Sequence, residues 1–194
     1  MSQKIVCFLK KHISLFVLLL FVLCGFFLRI YNFVDWLHFE TDQARDALVL
    51  KEALQNGPGE LPLLGPRTSG SYLRLGPLYY YLGYLFSVVL GSAPTGLAAL
   101  SLVFGISSIP LFYLFFREYF ERKTSLFITS IFSFSLYFIV YSRFAWNCNI
   151  LPFFVALNLY SLLKTSDKEN KQRKYWFYTF IVSLIVATQL HFLA

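Results

Sequence analysis

Charged side chains are scarce in this sequence. They make up only 14% of its 194 residues, whereas hydrophobic residues make up 57%. A water-soluble domain carries about a quarter charged residues, so the shortage excludes that class and indicates a membrane protein. Acidic residues are fewer than basic ones, 10 against 17, which leaves a formal net charge of +7. In a membrane protein such an excess is typical of cytoplasmic loops, and it does not indicate nucleic acid binding.

Cysteine is also rare, and the three cysteines form no CxxC pair that would indicate a metal or redox site. We interpret Cys7, Cys24 and Cys148 as packing residues. The sequence also lacks an internal repeat and a glycine-rich phosphate loop between a strand and a helix. No small-residue cleavage site follows the apolar run 13–28. This run is therefore interpreted as an uncleaved membrane anchor rather than a signal peptide.

Long apolar runs are abundant, and crossing a bilayer takes about 20 helical residues. The runs lie at about 12–32, 95–116, 124–141, 146–163 and 175–194. The predicted fold class is an all-α membrane protein with about five transmembrane helices and a long outer first loop that carries surface-lying helices. That loop covers about 33–94. It contains a predicted helix over 42–55, capped by Thr41 or Asp42, and an apolar run over 77–90.

The run 77–90 has two interpretations. Its 14 residues would rise only about 21 Å as a helix, and its four tyrosines are typical of a headgroup interface. If it lies on the surface, the segments on the N-terminal side hold 11 basic and 4 acidic residues, and the opposite side holds 6 of each. The positive-inside rule then places the N-terminus in the cytoplasm of a plasma-membrane protein. If the run is a sixth span, the same rule requires the inverted orientation. We favour the surface position.

The outer loop holds most of the residues that could carry chemistry. Asp42, Arg45 and Asp46 share one stripe of the predicted helix 42–55. A carboxylate in the first turn of a helix is favoured in its ionised form. Asp42 is therefore a candidate general base or metal ligand, or else only a helix cap with a surface ion pair. Two weaker candidates lie just before it, His38 and Glu40.

Further polar residues lie beside the predicted spans. Arg143 is the only charged residue between 124 and 163. A charge at membrane depth is usually paired, so Arg143 either has an anionic partner such as a lipid phosphate or snorkels to the interface. His191 near the outer end of the last span faces either a site or a neighbouring helix. Arg67 and Arg74 can likewise face a phosphate or only solvent.

Four segments together resemble a known family: FETDQARDAL, GPLYYYLGYLF, YSRFAWNCNILPFF and ATQLHFLA. In this order they are similar to the integral membrane C-type glycosyltransferases. The particular resemblance is to the bacterial, family 39-like group related to protein O-mannosyltransferases and aminoarabinose transferases, and it extends from about residue 14 onward. It implies an inverting transfer of a sugar from a polyprenyl-phosphate carrier to an acceptor hydroxyl at the outer face of the membrane. The implied partners are the carrier lipid, the acceptor and the bilayer.

The resemblance also implies roles for individual residues. The family's first-loop acidic motif matches Asp42, which is implied as the catalytic base or as part of a metal-dependent acid site. Its second position, often Glu, is Gln43 here. The serine-arginine pair of the second outer loop matches Ser142 and Arg143, and Asn147 stands near the place where many relatives carry an Asp. These departures leave open whether the reaction depends on a divalent cation. The expected substrate-binding residues are Arg143, Arg74, Arg45, Asp46, Tyr72, Asn147 and His191.

Family members are commonly much longer and have further spans. We therefore expect this chain to be a truncated or partial form that holds part of an active site. The alternative function is a non-enzymatic protein, such as a transporter or a lipid flippase subunit, that uses Arg143 and His191 in a polar pathway. Transporters typically place polar groups in interrupted spans near the midplane. Here the polar residues cluster in an outer loop, which favours the enzyme.

The five-span interpretation predicts that the first loop faces the outside of the cell. A cysteine introduced at position 69 should react with an impermeant thiol reagent on intact cells. Labelling that is seen only after lysis would contradict this topology.

Overall fold

The computed structural model describes residues 3–67, 72–91 and 93–191, so position 69 lies outside it. A short 3-10 helix, Pro58–Glu60, and eight α-helices form: α1 Gln3–Ile30, α2 Thr41–Asn56, α3 Leu78–Leu90, α4 Ala93–Phe116, α5 Arg122–Phe134, α6 Leu136–Tyr141, α7 Asn147–Ser166 and α8 Arg173–Leu190. No strand forms within the described ranges, where Arg67 and Arg74 make an isolated antiparallel bridge. The predicted all-α fold class is confirmed.

Within the described part of the chain, three helices are long and apolar enough to cross a membrane, namely His12–Ile30, Pro94–Phe116 and Asn147–Ser166. They coincide with the first, second and fourth predicted spans. α8 covers the last predicted span as far as Leu190, and residues 192–194 lie outside the description. Because the first turn of α8 contains Arg173 and Lys174, its mean hydropathy is lower than that of the other three.

The third predicted span, 124–141, is not one helix. Ser135 adopts an extended conformation, with ψ of 126°, and separates α5 from α6. A break of this kind leaves backbone carbonyl groups without helical partners. The fully buried Arg29, at the end of α1, supplies one partner by donating from Nη1 to the Ser133 carbonyl at 3.0 Å. Neither glycine nor proline stands at the break, so the usual sequence signals of a kink are missing.

The contacts of α7 give the directions of two neighbouring helices. Just before its start, the Arg143 guanidinium donates to the carbonyls of Leu28 at 3.2 Å and Asn32 at 3.0 Å, at the end of α1. Near its other end, Lys164 forms an ion pair of 2.6 Å with Glu118, which follows α4. α7 therefore begins beside the end of α1 and ends beside the end of α4.

It follows that α1 ends and α4 begins on the same side of the bundle. Leu97, near the start of α4, shares a buried hydrophobic cluster with Ile150 near the start of α7 and with Leu190 at the end of α8. The chain segment between α1 and α4, which includes α3, therefore starts and ends on the same side of the bundle. This arrangement favours the surface position of 77–90 over a sixth span. The number of spans and the cytoplasmic N-terminus stay predictions.

α2 begins and ends within one residue of its predicted bounds, but its cap differs from the expectation. The expected caps were Thr41 or Asp42, whereas the N-cap is Glu40, whose backbone N–H donates to the Gln43 side-chain oxygen at 3.0 Å. This is one half of a capping box. The apolar stripe of α2 packs on α3 and α4 and is buried, with Ala47, Leu50 and Ala53. α2 is thus held against the bundle.

A close backbone contact joins the Gly/Pro-rich loop to α8. The Gly65 N–H donates to the Leu75 carbonyl at 2.9 Å, and the Gly76 N–H donates to the Gln189 carbonyl at 3.0 Å. A Cβ atom at Gly76 would overlap the Gln189 side chain and lie 3.0 Å from the Gln189 Cα. Only glycine fits this approach without a shift of α8.

We therefore expect Gly76→Ala to destabilise the protein by about 1–3 kcal/mol, because the added methyl group overpacks the contact with α8. Thermal unfolding of the purified protein in detergent measures the effect. Gly59→Ala is the matched control, since a Cβ there meets nothing within 4 Å. Equal unfolding temperatures for the two variants would contradict the proposed overlap.

Candidate functional site

Asp42 lies at the centre of the candidate site, in the first turn of α2. Its Oδ1 accepts a hydrogen bond from Arg45 Nη1 at 2.8 Å, and its side chain remains 58% exposed. The first turn of a helix presents unpaired N–H groups and the positive end of the helix dipole, which stabilise a carboxylate. Asp42 is thus an accessible carboxylate whose orientation is set by one neighbouring cation.

Asp46 lies one turn further along α2 and is buried. Its Oδ1 accepts hydrogen bonds from Arg45 Nε at 2.9 Å and from the Tyr80 hydroxyl at 2.8 Å. Burial raises the pKa of Asp46 above its usual range, although the hydrogen bonds from Arg45 and Tyr80 oppose this shift. Burial alone would lower the pKa of Arg45, but the hydrogen bond and charge of Asp46 raise it overall, so Arg45 stays protonated. The geometry makes Asp46 a support for Arg45, whereas the sequence suggested that it contacts substrate.

Tyr80 is a part of this arrangement that the sequence reasoning missed. The tyrosines of α3 were expected at a headgroup interface, but Tyr79 and Tyr80 are 2% and 3% exposed. Tyr80 connects α3 to Asp46 on α2. Helical periodicity gives a partial signal, because Tyr80 lies on the same face of α3 as the buried Gly83 and Ser87.

A cleft of about 270 Å³, here called the polar cleft, opens beside Asp42. Asn147 in its wall is fixed by a hydrogen bond from Nδ2 to the Leu190 carbonyl at 2.6 Å. The polar cleft therefore brings together residues from α2, the Gly/Pro-rich loop, the start of α7 and the end of α8. Its polar lining includes Asp42, Arg45, Arg67, Asn147, Cys148 and His191.

A second cleft of about 360 Å³, here called the junction cleft, shares Asp42 and Trp146 with the polar cleft. His38 lies in its wall, with Nε2 3.2 Å from Glu40 Oε1. The His38 ring meets the Phe144 ring edge-on, with 4.9 Å between their centroids. Because Trp146 and Asp42 line both clefts, the two spaces are adjacent.

An apolar groove of about 520 Å³ lies between the end of α1 and α6. His38 and Phe144 line this groove and also the junction cleft. The three spaces are thus neighbours that share wall residues, in a row from the apolar groove to Asp42. The apolar walls of the groove include Phe27, Leu28, Tyr31, Leu136, Ile139 and Val140.

Arg143 lines the apolar groove and is only 8% exposed. Besides its two hydrogen bonds to the end of α1, its guanidinium stacks over Trp36 with 5.5 Å to the ring centroid. It has no carboxylate partner among the described residues. The two alternatives from the sequence, an anionic partner and snorkelling to the interface, both stay predictions, because the guanidinium is already bound to two backbone carbonyls.

Arg74 and Tyr72 are not among the residues that line these clefts. Tyr72 is 98% exposed, and Arg74 Nη1 lies 3.5 Å from the Gly65 carbonyl. Arg67, which pairs with Arg74 in the isolated bridge, lines the polar cleft instead. The roles expected for Arg74 and Tyr72 stay predictions that this geometry does not support.

The described residues contain no group of three His, Cys, Asp or Glu side chains that could hold a metal ion. Asp42 and Asp46 are near each other, but Asp46 is already engaged by Arg45 and Tyr80. The donor set around Asp42 therefore offers little to a divalent cation, which prefers several oxygen ligands.

One comparison with known proteins identifies related sequences. The model of the family described as dolichyl-phosphate-mannose-protein mannosyltransferase matches residues 75–189. No curated protein and no solved structure matches the chain. The matched region contains Tyr80, Arg143 and Asn147, and it begins after α2, which carries Asp42.

We expect Tyr80→Phe to lower the free energy of unfolding by about 1–3 kcal/mol, because it removes a hydrogen bond to a buried carboxylate. Chemical denaturation in mixed micelles measures the change. Tyr81→Phe on the same helix is the control, since no hydrogen bond joins the Tyr81 hydroxyl to another described residue. A loss of similar size in both variants would show that the Tyr80–Asp46 contact is unimportant.

Proposed function

The chain belongs to the dolichyl-phosphate-mannose-protein mannosyltransferase family, whose model matches more than half of its length, and from this premise we propose that it transfers a sugar from a polyprenyl-phosphate carrier to an acceptor hydroxyl at the outer face of the membrane. The family is one of membrane glycosyltransferases and implies a lipid-linked sugar donor. The observation that carries the proposal is the row of three adjacent spaces, which share wall residues from the apolar groove to Asp42.

The donor is proposed to enter with its isoprenoid tail in the apolar groove. The walls of the groove come from the end of α1 and from α6, and they are almost entirely apolar. Apolar surface takes up a hydrocarbon chain because both are thereby removed from water. Arg143 in the same wall supplies positive charge for the phosphate.

The sugar is proposed to occupy the junction cleft. Trp146 lines both this cleft and the polar cleft, and it offers a ring face on which a sugar can pack. This position places the sugar beside Asp42, between the lipid and the acceptor. The acceptor then lies in the polar cleft, whose wall includes the polar side chains of Asn147, Arg67 and His191.

The proposed reaction is a displacement at the anomeric carbon. Asp42 accepts the proton of the acceptor hydroxyl as the hydroxyl oxygen attacks that carbon. The bond from the carbon to the phosphate oxygen breaks, the polyprenyl phosphate departs with the bonding electrons, and the configuration inverts. Arg45 holds Oδ1 of Asp42, so Oδ2 is assigned to the acceptor. Positive charge at Arg143 stabilises the departing phosphate.

The alternative, a transporter or flippase subunit, has one observation in its favour. The broken helix at Ser135, with the buried Arg29 beside it, resembles the interrupted spans of transporters. Yet Arg29 lines none of the three adjacent spaces, whereas Asp42 lines two of them. The enzyme therefore accounts for more of the polar residues.

We expect Asp42→Asn to lower sugar transfer by about 10²–10⁴-fold, because the amide cannot accept the acceptor proton. Membranes carrying the protein are supplied with a radiolabelled polyprenyl-phosphate sugar, and transfer to endogenous acceptors is measured. Glu52→Gln, an exposed change on the same helix, should retain activity. Full activity of a folded Asp42→Asn protein would refute its assignment as base, and wild-type membranes without transfer would contradict the enzyme.

A further inference from the structure

His38 lies in the wall that the apolar groove shares with the junction cleft. Among the described residues, His38 and Phe144 are the two that line both spaces. In a lipid-linked sugar the phosphate connects the tail to the sugar. If the tail lies in the groove and the sugar lies beside Asp42, the phosphate must therefore pass these two side chains. Phe144 offers only an aromatic ring, which leaves His38 as the polar group at the crossing.

We propose that His38, oriented by Glu40, is the side chain that contacts the donor phosphate and pairs with its charge. This inference rests on the proposed function and deepens it, because it names the residue that recognises the phosphate. The Glu40 carboxylate lies 3.2 Å from His38 Nε2. A protonated imidazole donates from both ring nitrogens, so Glu40 takes one donor and Nδ1 is assigned to the phosphate.

Arg143 cannot take over this contact without a structural cost. Its Nη1 and Nη2 each donate to a backbone carbonyl at the end of α1, and its plane is fixed over Trp36. A move toward the crossing would release both carbonyls. Arg143 therefore supplies a fixed positive charge in the wall of the groove, whereas the His38 side chain is 48% exposed and reaches the junction cleft.

The contact has a role in the departure of the carrier. When the sugar leaves, negative charge develops on the phosphate oxygen that was bonded to the anomeric carbon. A hydrogen bond from His38 strengthens as that charge grows, which lowers the barrier as well as the dissociation constant. His38 forms no covalent bond in this step.

The test is an equilibrium binding experiment with the full chain in detergent micelles. Radiolabelled polyprenyl phosphate is displaced with unlabelled polyprenyl phosphate, with the corresponding polyprenol, or with phosphatidylglycerol. We expect wild type to prefer polyprenyl phosphate over both competitors. His38→Gln should reduce the preference over polyprenol by about tenfold, the loss of one charge-assisted hydrogen bond. His38→Lys places a cation at the same position and should retain most of the preference for polyprenyl phosphate over polyprenol. His12→Gln, the same substitution at a histidine of α1 that lines none of the three spaces, should have no effect.

The outcomes separate this inference from the proposed function. If wild type binds polyprenol as tightly as polyprenyl phosphate, the groove does not recognise a lipid phosphate, and the proposed donor is wrong. If wild type discriminates and His38→Gln discriminates equally, the donor stands and the role of His38 is overturned. A loss in both His38→Gln and His38→Lys would show that charge is not what His38 contributes. Equal competition by phosphatidylglycerol would show a general lipid site and would overturn the contact with the donor.

Discussion

Arg143 joins the turn before α7 to the end of α1, and the candidate site is arranged around this contact. Carbonyl groups at the end of a helix have no intrahelical partner, and within a membrane little water is available to replace one. Arg143 donates to one such carbonyl, that of Leu28, and also to the carbonyl of Asn32 in the turn that follows α1. The same contact fixes α1 beside α6, so it creates the apolar groove, and it leaves a positive charge in the wall where the proposed donor phosphate lies.

A second set of contacts positions Asp42 independently of Arg143. Tyr80 on α3 donates to Asp46, Asp46 accepts from Arg45, and Arg45 donates to Asp42. The acceptor side of the site thus depends on the packing of α2 against α3, and the donor side depends on α1 and α6. The two sides meet at the aromatic residues before α7, Phe144 and Trp146, which line the shared spaces. Asp42, the proposed base, and Arg143, the proposed cation, can therefore be perturbed separately, one through α2 and the other through α1.

Much of the fold could be predicted from the sequence, because the bilayer demands long apolar runs and α2 ends at a Gly-Pro stop signal. The break at Ser135 could not be predicted, because it involves Arg29, a residue distant in sequence that donates a hydrogen bond to the Ser133 carbonyl. In the candidate site, Asp42 and Asn147 were predicted and now line one cleft. The choice between Arg67 and Arg74 depends on how the loop folds against α8, which spacing does not encode. Tyrosines are typical of both interfaces and buried contacts, so the buried position of Tyr80 was not predictable from composition.

The central claim is that the groove between α1 and α6 holds the lipid of the donor and leads it to Asp42. Photocrosslinking with a polyprenyl phosphate that carries a diazirine near its phosphate, followed by mass spectrometric mapping, tests this claim directly. The account predicts adducts on groove residues such as Phe27, Tyr31 and Val140, and these adducts should disappear when unlabelled polyprenyl phosphate is in excess. Adducts concentrated instead on Leu48 and Leu54 of α2, which line a different cavity, would contradict it.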